Sequence, residues 1–166
     1  MDKADQPDRA GKAGKAAKGA GFGLSLKGRA LRYLAAREHS RAELERKLAA
    51  HAESAEQLAL VLDELQAKDF ISEARVVESV LNRRAGRFGA ARIRHELQGK
   101  GLAPEMVADA VSSLKASEVE RAREVWRRKF GEVATDAAAR GKQMRFLAAR
   151  GFGGDAIRRV VSQAED

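Results

Sequence analysis

From residue 24 onward, apolar side chains recur at three- and four-residue spacings, the period of one face of an α-helix. No window of four or more residues alternates apolar and polar positions in the way a half-buried strand requires. The pattern predicts nine helices, over 25–37, 41–50, 55–67, 72–85, 89–99, 104–115, 118–130, 136–149 and 154–164. Terminal chemistry supports these bounds. Ser40-x-x-Glu43, Ser54-x-x-Gln57 and Ser117-x-x-Glu120 each match a capping box, in which the hydroxyl and the carboxylate or amide satisfy free backbone donors reciprocally. Pro104 suits a first helical turn, where a missing N–H costs nothing, and Gly101 and Gly151 suit left-handed residues closing the helices before them.

An internal repeat organises the helices. Leu58, Val61 and Leu62 form an i, i+3, i+4 stripe; a shift of 49 reaches Val107, Ala110 and Val111, and a further 50 reaches Ile157, Val160 and Val161. The preceding helix keeps the register through Leu48, Leu97 and Leu147, and through Leu44 and Ile93, whose third counterpart is the polar Gln143. Lys100-Gly101-Leu102 aligns with Arg150-Gly151-Phe152, a cation, a C-terminal glycine and an apolar residue able to fold back on the helix, whereas the first unit has His51-Ala52-Glu53 there. The opening helices are looser, with Leu31 and Leu34, then Val77, Val80 and Leu81, then Val125, Trp126 and Phe130 as inward residues. The expected fold is therefore all-α: three tandem three-helix repeats, 24–70, 71–116 and 117–166, forming an elongated, curved array in which neighbours complete one another's core. Residues 1–23 read as a disordered Gly/Ala/Lys tail whose one large side chain is Phe22.

Composition narrows the function. The 166 residues include 33 alanines and no cysteine, which removes disulfide frameworks, cysteine metal sites and thiol nucleophiles, and a cytoplasmic setting is expected. The longest apolar run, Leu58 to Leu62, is far short of the ~20 residues of a membrane span, and no targeting segment is read in the first residues. Each Gly-Lys pair (Gly11-Lys12, Gly14-Lys15, Gly99-Lys100, Gly141-Lys142) lacks the Ser or Thr that follows in a phosphate-binding loop. His39, His51 and His95 stand apart from one another and read as surface or capping residues, and no two carboxylates are paired in an apolar setting. No enzyme, metal or cofactor is expected. Aromatics at helical spacing, Trp126, Phe130, Phe146 and Phe152, read as core rather than as base-stacking platforms.

What remains is charge. The formal net charge is +8, unevenly placed. Residues 75–100 carry seven basic and two acidic side chains, and residues 121–166 carry eleven and six, flanking an acidic stretch over 101–120. Arginine dominates the first zone, favouring bidentate recognition of phosphate or carboxylate, and Gly86 and Gly89 would let a ligand approach the backbone there. The binding candidates are Arg83, Arg84, Arg87, Arg92, Arg94 and Lys100, joined by Arg127, Arg128, Arg145 and Arg150. Arg127, Arg128 and Lys129, being consecutive, point around a helix and cannot all meet one ligand.

Three segments resemble the RecX regulators of the bacterial RecA recombinase: Ala30 to Leu44 (ALRYLAAREHSRAEL), Arg94 to Leu102 (RHELQGKGL) and Phe146 to Phe152 (FLAARGF). Their order agrees with that family's tandem three-helix repeats, and the match runs from Ala30 to about Val161; Ser72-Glu73 only approximates the family's acidic pair, and the tail lies outside the match. The resemblance implies a non-enzymatic negative regulator, monomeric, that binds in the groove of the RecA filament on single-stranded DNA and inhibits ATP hydrolysis, strand exchange and co-protease activity. The residues by themselves also describe a stand-alone basic helical module that binds DNA directly.

Overall fold

The structure, a computed structural model, describes residues 23–162. Nearly all of the expected tail, and the end of the helix expected over 154–164, lie outside the described residues. Nine α-helices and no strand occur among those described: α1 (Leu26–Ala36), α2 (Arg41–Leu48), α3 (Ala55–Ala67), α4 (Glu73–Arg84), α5 (Ala90–Gly99), α6 (Pro104–Lys115), α7 (Glu118–Lys129), α8 (Ala137–Ala149) and α9 (Gly154–Ser162). None is long and apolar enough to cross a membrane.

The three expected capping boxes fare differently. Ser40 and Glu43 form the full reciprocal box at α2, Glu43 N–H donating to Ser40 Oγ at 3.1 Å and Ser40 N–H to Glu43 Oε2 at 2.8 Å. Ser54 caps α3, but the Gln57 amide oxygen accepts from Glu53 N–H instead of closing the box on Ser54. Ser117 caps nothing. Ala116 and Ser117 carry the chain from α6 into α7 with ψ near −30° and 2°, so Ser117 lacks the extended backbone an N-cap needs, and its hydroxyl turns back to the Leu114 carbonyl.

Each trio of helices closes on its own core. Leu48, Leu97 and Leu147 are wholly buried at the same place in the three cores, and the α3, α6 and α9 stripes pack beside them, with Val61 alone partly exposed. Gln143 is buried where the register calls for an apolar residue. Its amide oxygen accepts the Trp126 indole N–H at 3.0 Å, and its nitrogen donates to the Glu132 carbonyl at 2.9 Å, so the swap leaves no polar atom stranded. The opening helices differ from the sequence expectation by a step of rotation. In α1 the deepest residues are Leu26 and Ala30, with Leu31 and Leu34 partly buried; in α4 they are Val76 and Val80, with Val77 and Leu81 on the flank. His39, expected at the surface or in a cap, is 2% exposed; Nδ1–H donates to the Arg37 carbonyl, and burial holds the ring's pKa below its usual value.

The repeats join through polar and backbone contacts that recur at the same register. At the first junction Ser40 Oγ donates to the Lys100 carbonyl at 2.6 Å, and Arg46 reaches the Gly99 carbonyl. At the second, Gly89 N–H donates to the Arg150 carbonyl at 2.8 Å and Ala91 N–H to the Gly151 carbonyl at 3.2 Å. In both, the N-cap of one repeat's middle helix, Ser40 or Gly89, donates to the carbonyl of the residue that closes the next repeat's middle helix, Lys100 or Arg150, so an end carbonyl finds a partner across the junction. Gly101 and Gly151 adopt the expected left-handed backbone (φ 70° and 86°).

Candidate functional site

The second junction gathers the basic residues that the sequence scatters. Arg87, from the loop between α4 and α5, meets Val125, Arg128 and Lys129 of α7, Phe146 of α8 and Arg150 at the α8 C-terminus around an open cleft of about 220 Å³. Phe88, partly buried against the second repeat's core, has four guanidinium groups over or beside its ring: Arg92 at 4.3 Å, Arg84 at 5.6 Å, Arg150 at 5.7 Å and Arg87 at 5.9 Å from the centroid. Arg150 also lies 4.7 Å from the centroid of Phe146, so one guanidinium bridges two rings from adjoining repeats. None of Arg87, Arg92, Arg128, Lys129 and Arg150 is ion-paired to a carboxylate among the described residues.

The remaining candidates lie elsewhere. Arg84 is tied to Glu96 at 3.0 Å, and Arg127 to Glu124 at 2.6 Å on its own helix. Arg83 faces solvent on α4 with its Nε on the Ser79 carbonyl, and Arg145 is exposed on α8. Arg94 lines a separate groove with Gln98, Leu102 and Pro104. Lys100 is enclosed in the first junction, 12% exposed, with its ammonium 3.0 Å from Glu43. The close backbone approach expected at Gly89 is used within the molecule: a Cβ there would stand 2.2 Å from the Gly151 carbonyl, so the space belongs to the junction and not to a ligand.

Comparing the two junctions shows why the second is so positive. Across the first, Glu38 pairs with Arg75 at 2.9 Å and Glu43 with Lys100 as well as with Arg37, while Glu96 is paired with Arg84 inside the second repeat. Burial works against the Glu43 carboxylate, but hydrogen bonds from Arg37, the Ser40 backbone and Lys100 outweigh it and bring its pKa to about 2. Carried to the second junction by the repeat offsets, Glu38 becomes Arg87, Glu43 becomes Arg92 and Glu96 becomes Phe146. Three acidic positions are thus replaced by two arginines and an aromatic ring in the same frame.

Arg121 holds this frame and was not legible as a site residue. In the opening helices, where the buried Val76 and Val80 correspond to Ala122 and Trp126 at an offset of 46, it is the counterpart of Arg75, but with Glu38 replaced by Arg87 it has no carboxylate to meet there. Its guanidinium instead donates to the carbonyls of Ala85 (2.9 Å), Phe88 (2.7 Å) and Leu114 (3.1 Å), which pins the loop bearing Arg87 and Phe88; burial lowers its pKa. Phe88 was missed for a related reason: alone between Arg87 and Gly89 it belongs to no helical stripe.

Comparison with known proteins places the whole array. Profiles described as the first, second and third three-helix domains of RecX match residues 27–65, 72–111 and 116–161 respectively. A protein named Regulatory protein RecX from Leptothrix cholodnii is 57% identical over 142 residues, covering 86% of this chain and 90% of its own length. One of the same name from Herminiimonas arsenicoxydans is 52% identical, covering 86% of this chain and 95% of its own. A crystal structure of RecX from Lactobacillus salivarius superposes with a TM-score of 0.71 at 20% identity, over 84% of this chain and 94% of that one, and a second RecX crystal structure gives 0.68 at 19% identity, over 83% and 71%.

Proposed function

This chain belongs to the RecX family of regulatory proteins, and on that premise we propose that it is a negative regulator of RecA. It lies in the groove of the RecA filament on single-stranded DNA and restrains ATP hydrolysis, strand exchange and co-protease activity. It acts as a cytoplasmic monomer by binding and without catalysis. The observation that carries the reading is the unneutralised cation cluster at the second junction, Arg87, Arg92, Arg128, Lys129 and Arg150, set in a tandem array whose first junction is neutralised by Glu38 and Glu43. Uncompensated guanidinium groups repel one another, and an anionic partner relieves that cost. A linear array of repeats suits an extended partner because it offers contacts along its length.

The test is RecA's ATP hydrolysis on single-stranded DNA, measured while the purified protein is titrated in and repeated with DNA in excess. A fall in rate that persists in excess DNA supports filament regulation. Inhibition well below one molecule per RecA protomer indicates capping of growing ends, whereas inhibition that tracks coverage indicates groove occupancy. No effect at molar excess overturns the reading and leaves a stand-alone DNA-binding module in its place.

A further inference from the structure

We propose that the cleft at the second junction is a seat for a single nucleotide, an unstacked base against Phe146 and Arg150 with its phosphate between Arg87 and Arg128. The inference rests on the reading above only in taking the cluster as a ligand site. Three observations carry it. The cleft combines cations with a partly buried aromatic wall, Phe146, and an apolar floor, Val125, whereas a surface that only attracted charge would need neither. Its volume, about 220 Å³, lies below the ~300–1,000 Å³ of sites for drug-sized ligands and suits one small planar group. The register comparison shows that Phe146 stands where the first junction has Glu96, so an acidic side chain is exchanged for a ring at the position facing the cluster.

The ring is braced for such a role. Phe146 meets Phe130 edge to face at a centroid distance of 5.2 Å and carries the Arg150 guanidinium at 4.7 Å, which together present a ring and a guanidinium plane, both surfaces on which unstacked bases lie. Because Arg87 belongs to the loop before α5 and Arg128 and Phe146 to α7 and α8, one nucleotide would bridge two repeats. Occupation of the seat then stiffens the second junction. A free nucleotide and a nucleotide within a single strand offer the same chemistry. A duplex does not, since its bases are stacked inside.

The experiment compares, without RecA, the binding of a short oligothymidylate, an abasic strand of equal length and charge, and a free thymidine nucleotide, using full-length protein. The base is expected to add roughly 5- to 150-fold in affinity over the abasic strand, the range that base–aromatic stacking supports. Phe146→Leu is expected to erase that preference while leaving the salt dependence unchanged, and Phe146→Tyr to keep it. Arg87→Gln is expected to flatten the salt dependence for both strands. Circular dichroism of Phe146→Leu separates loss of the seat from loss of the fold, and Phe146→Tyr keeps the test decisive if the leucine variant unfolds. Binding of the free nucleotide in competition with the strand identifies a soluble ligand; binding of the strand alone identifies nucleic acid. Equal affinity for the abasic strand, or an unchanged base preference in a folded Phe146→Leu, overturns the proposal. So does displacement of the strand by polyglutamate at equal charge, which would assign the cleft to an acidic protein surface. Since RecA is absent, the seat can fail while inhibition of RecA stands, and the reverse.

Discussion

Gly89 and Gly151 meet backbone to backbone across the second junction, closely enough that a Cβ on Gly89 would lie 2.2 Å from the Gly151 carbonyl carbon and oxygen. The same approach carries the Gly89-to-Arg150 hydrogen bond of 2.8 Å, so the two repeats are fastened where neither can carry a side chain. Gly89→Ala should therefore push the repeats apart at a cost of about 1–3 kcal/mol, the range for overpacking a rigid site. The three cores are separate, so helicity should persist while amide exchange at Gly89 and Ala91 accelerates. Unchanged exchange would show that the junction is softer than its geometry implies.

The first junction is fastened by charge, and its pH dependence follows. The pKa of Glu43 lies near 2 in the folded protein against an ordinary 4.5, because Arg37, the Ser40 backbone and Lys100 hold the ionised form despite burial. A depressed carboxyl pKa stabilises the fold above the unfolded value and loses that contribution as pH falls through about 4.5 toward 2. The contribution is on the order of 2–3 kcal/mol for this nearly buried group. Glu43→Gln should remove most of it, so acid titrations of variant and wild type, followed by circular dichroism, should converge below about pH 2 and diverge above pH 4.5. Parallel curves throughout would remove Glu43 from the acid transition.

Gln143 tests how a polar residue sits in an apolar stripe. Gln143→Leu restores the pattern set by Leu44 and Ile93, and a pattern-only argument expects stabilisation. The structure predicts the opposite. The buried Trp126 indole N–H would lose its partner, at about 1–3 kcal/mol for a donor left unsatisfied in the interior, while the carbonyl of the exposed Glu132 can turn to water. Urea unfolding should place the variant below wild type; a variant as stable as wild type would mean that water reaches the indole N–H.

These cases mark what the sequence made legible. The stripes on α3, α6 and α9, and the leucines at 48, 97 and 147, were readable because a full turn of apolar spacing overdetermines which face is buried. Val76 was missed for Val77 because α4 carries two adjacent valines, and spacing alone does not say which of two neighbours points inward. Ser117 matched a capping box by identity while its backbone, set by the two-residue link from α6, denied it the role. The repeat breaks at His51-Ala52-Glu53 in the structure as well: the Lys-Gly and Arg-Gly ends of the second and third repeats receive donors from the preceding repeat, whereas a short 3-10 turn, Ala49–His51, ends the first repeat's middle helix. The basic site was legible in content and not in grouping. Charge counts cannot tell that Lys100 belongs to Glu43 and Arg84 to Glu96, whereas Arg87, Arg128 and Arg150 converge from three separate segments.

That regrouping changes which arginines should matter to RecA. Replacing Arg83, Arg84 and Arg87 together by Ala, the choice suggested by clustering along the chain, touches the cleft through one residue. Arg83 faces solvent on α4, and Arg84 already spends its charge on Glu96. Replacing Arg87, Arg128 and Arg150 removes three cations from one cleft. The second set should therefore raise the concentration for half-inhibition of RecA's ATP hydrolysis by on the order of tenfold or more, and reduce the salt slope of binding by about 0.7 for each single-strand phosphate that is no longer neutralised. The first set should show either effect at roughly the size expected for a single phosphate, and Arg94→Ala, in a separate groove, should show neither. Equal effects from the two triple variants would mean that net charge along the array, and not the geometry of the second junction, governs the inhibition measured.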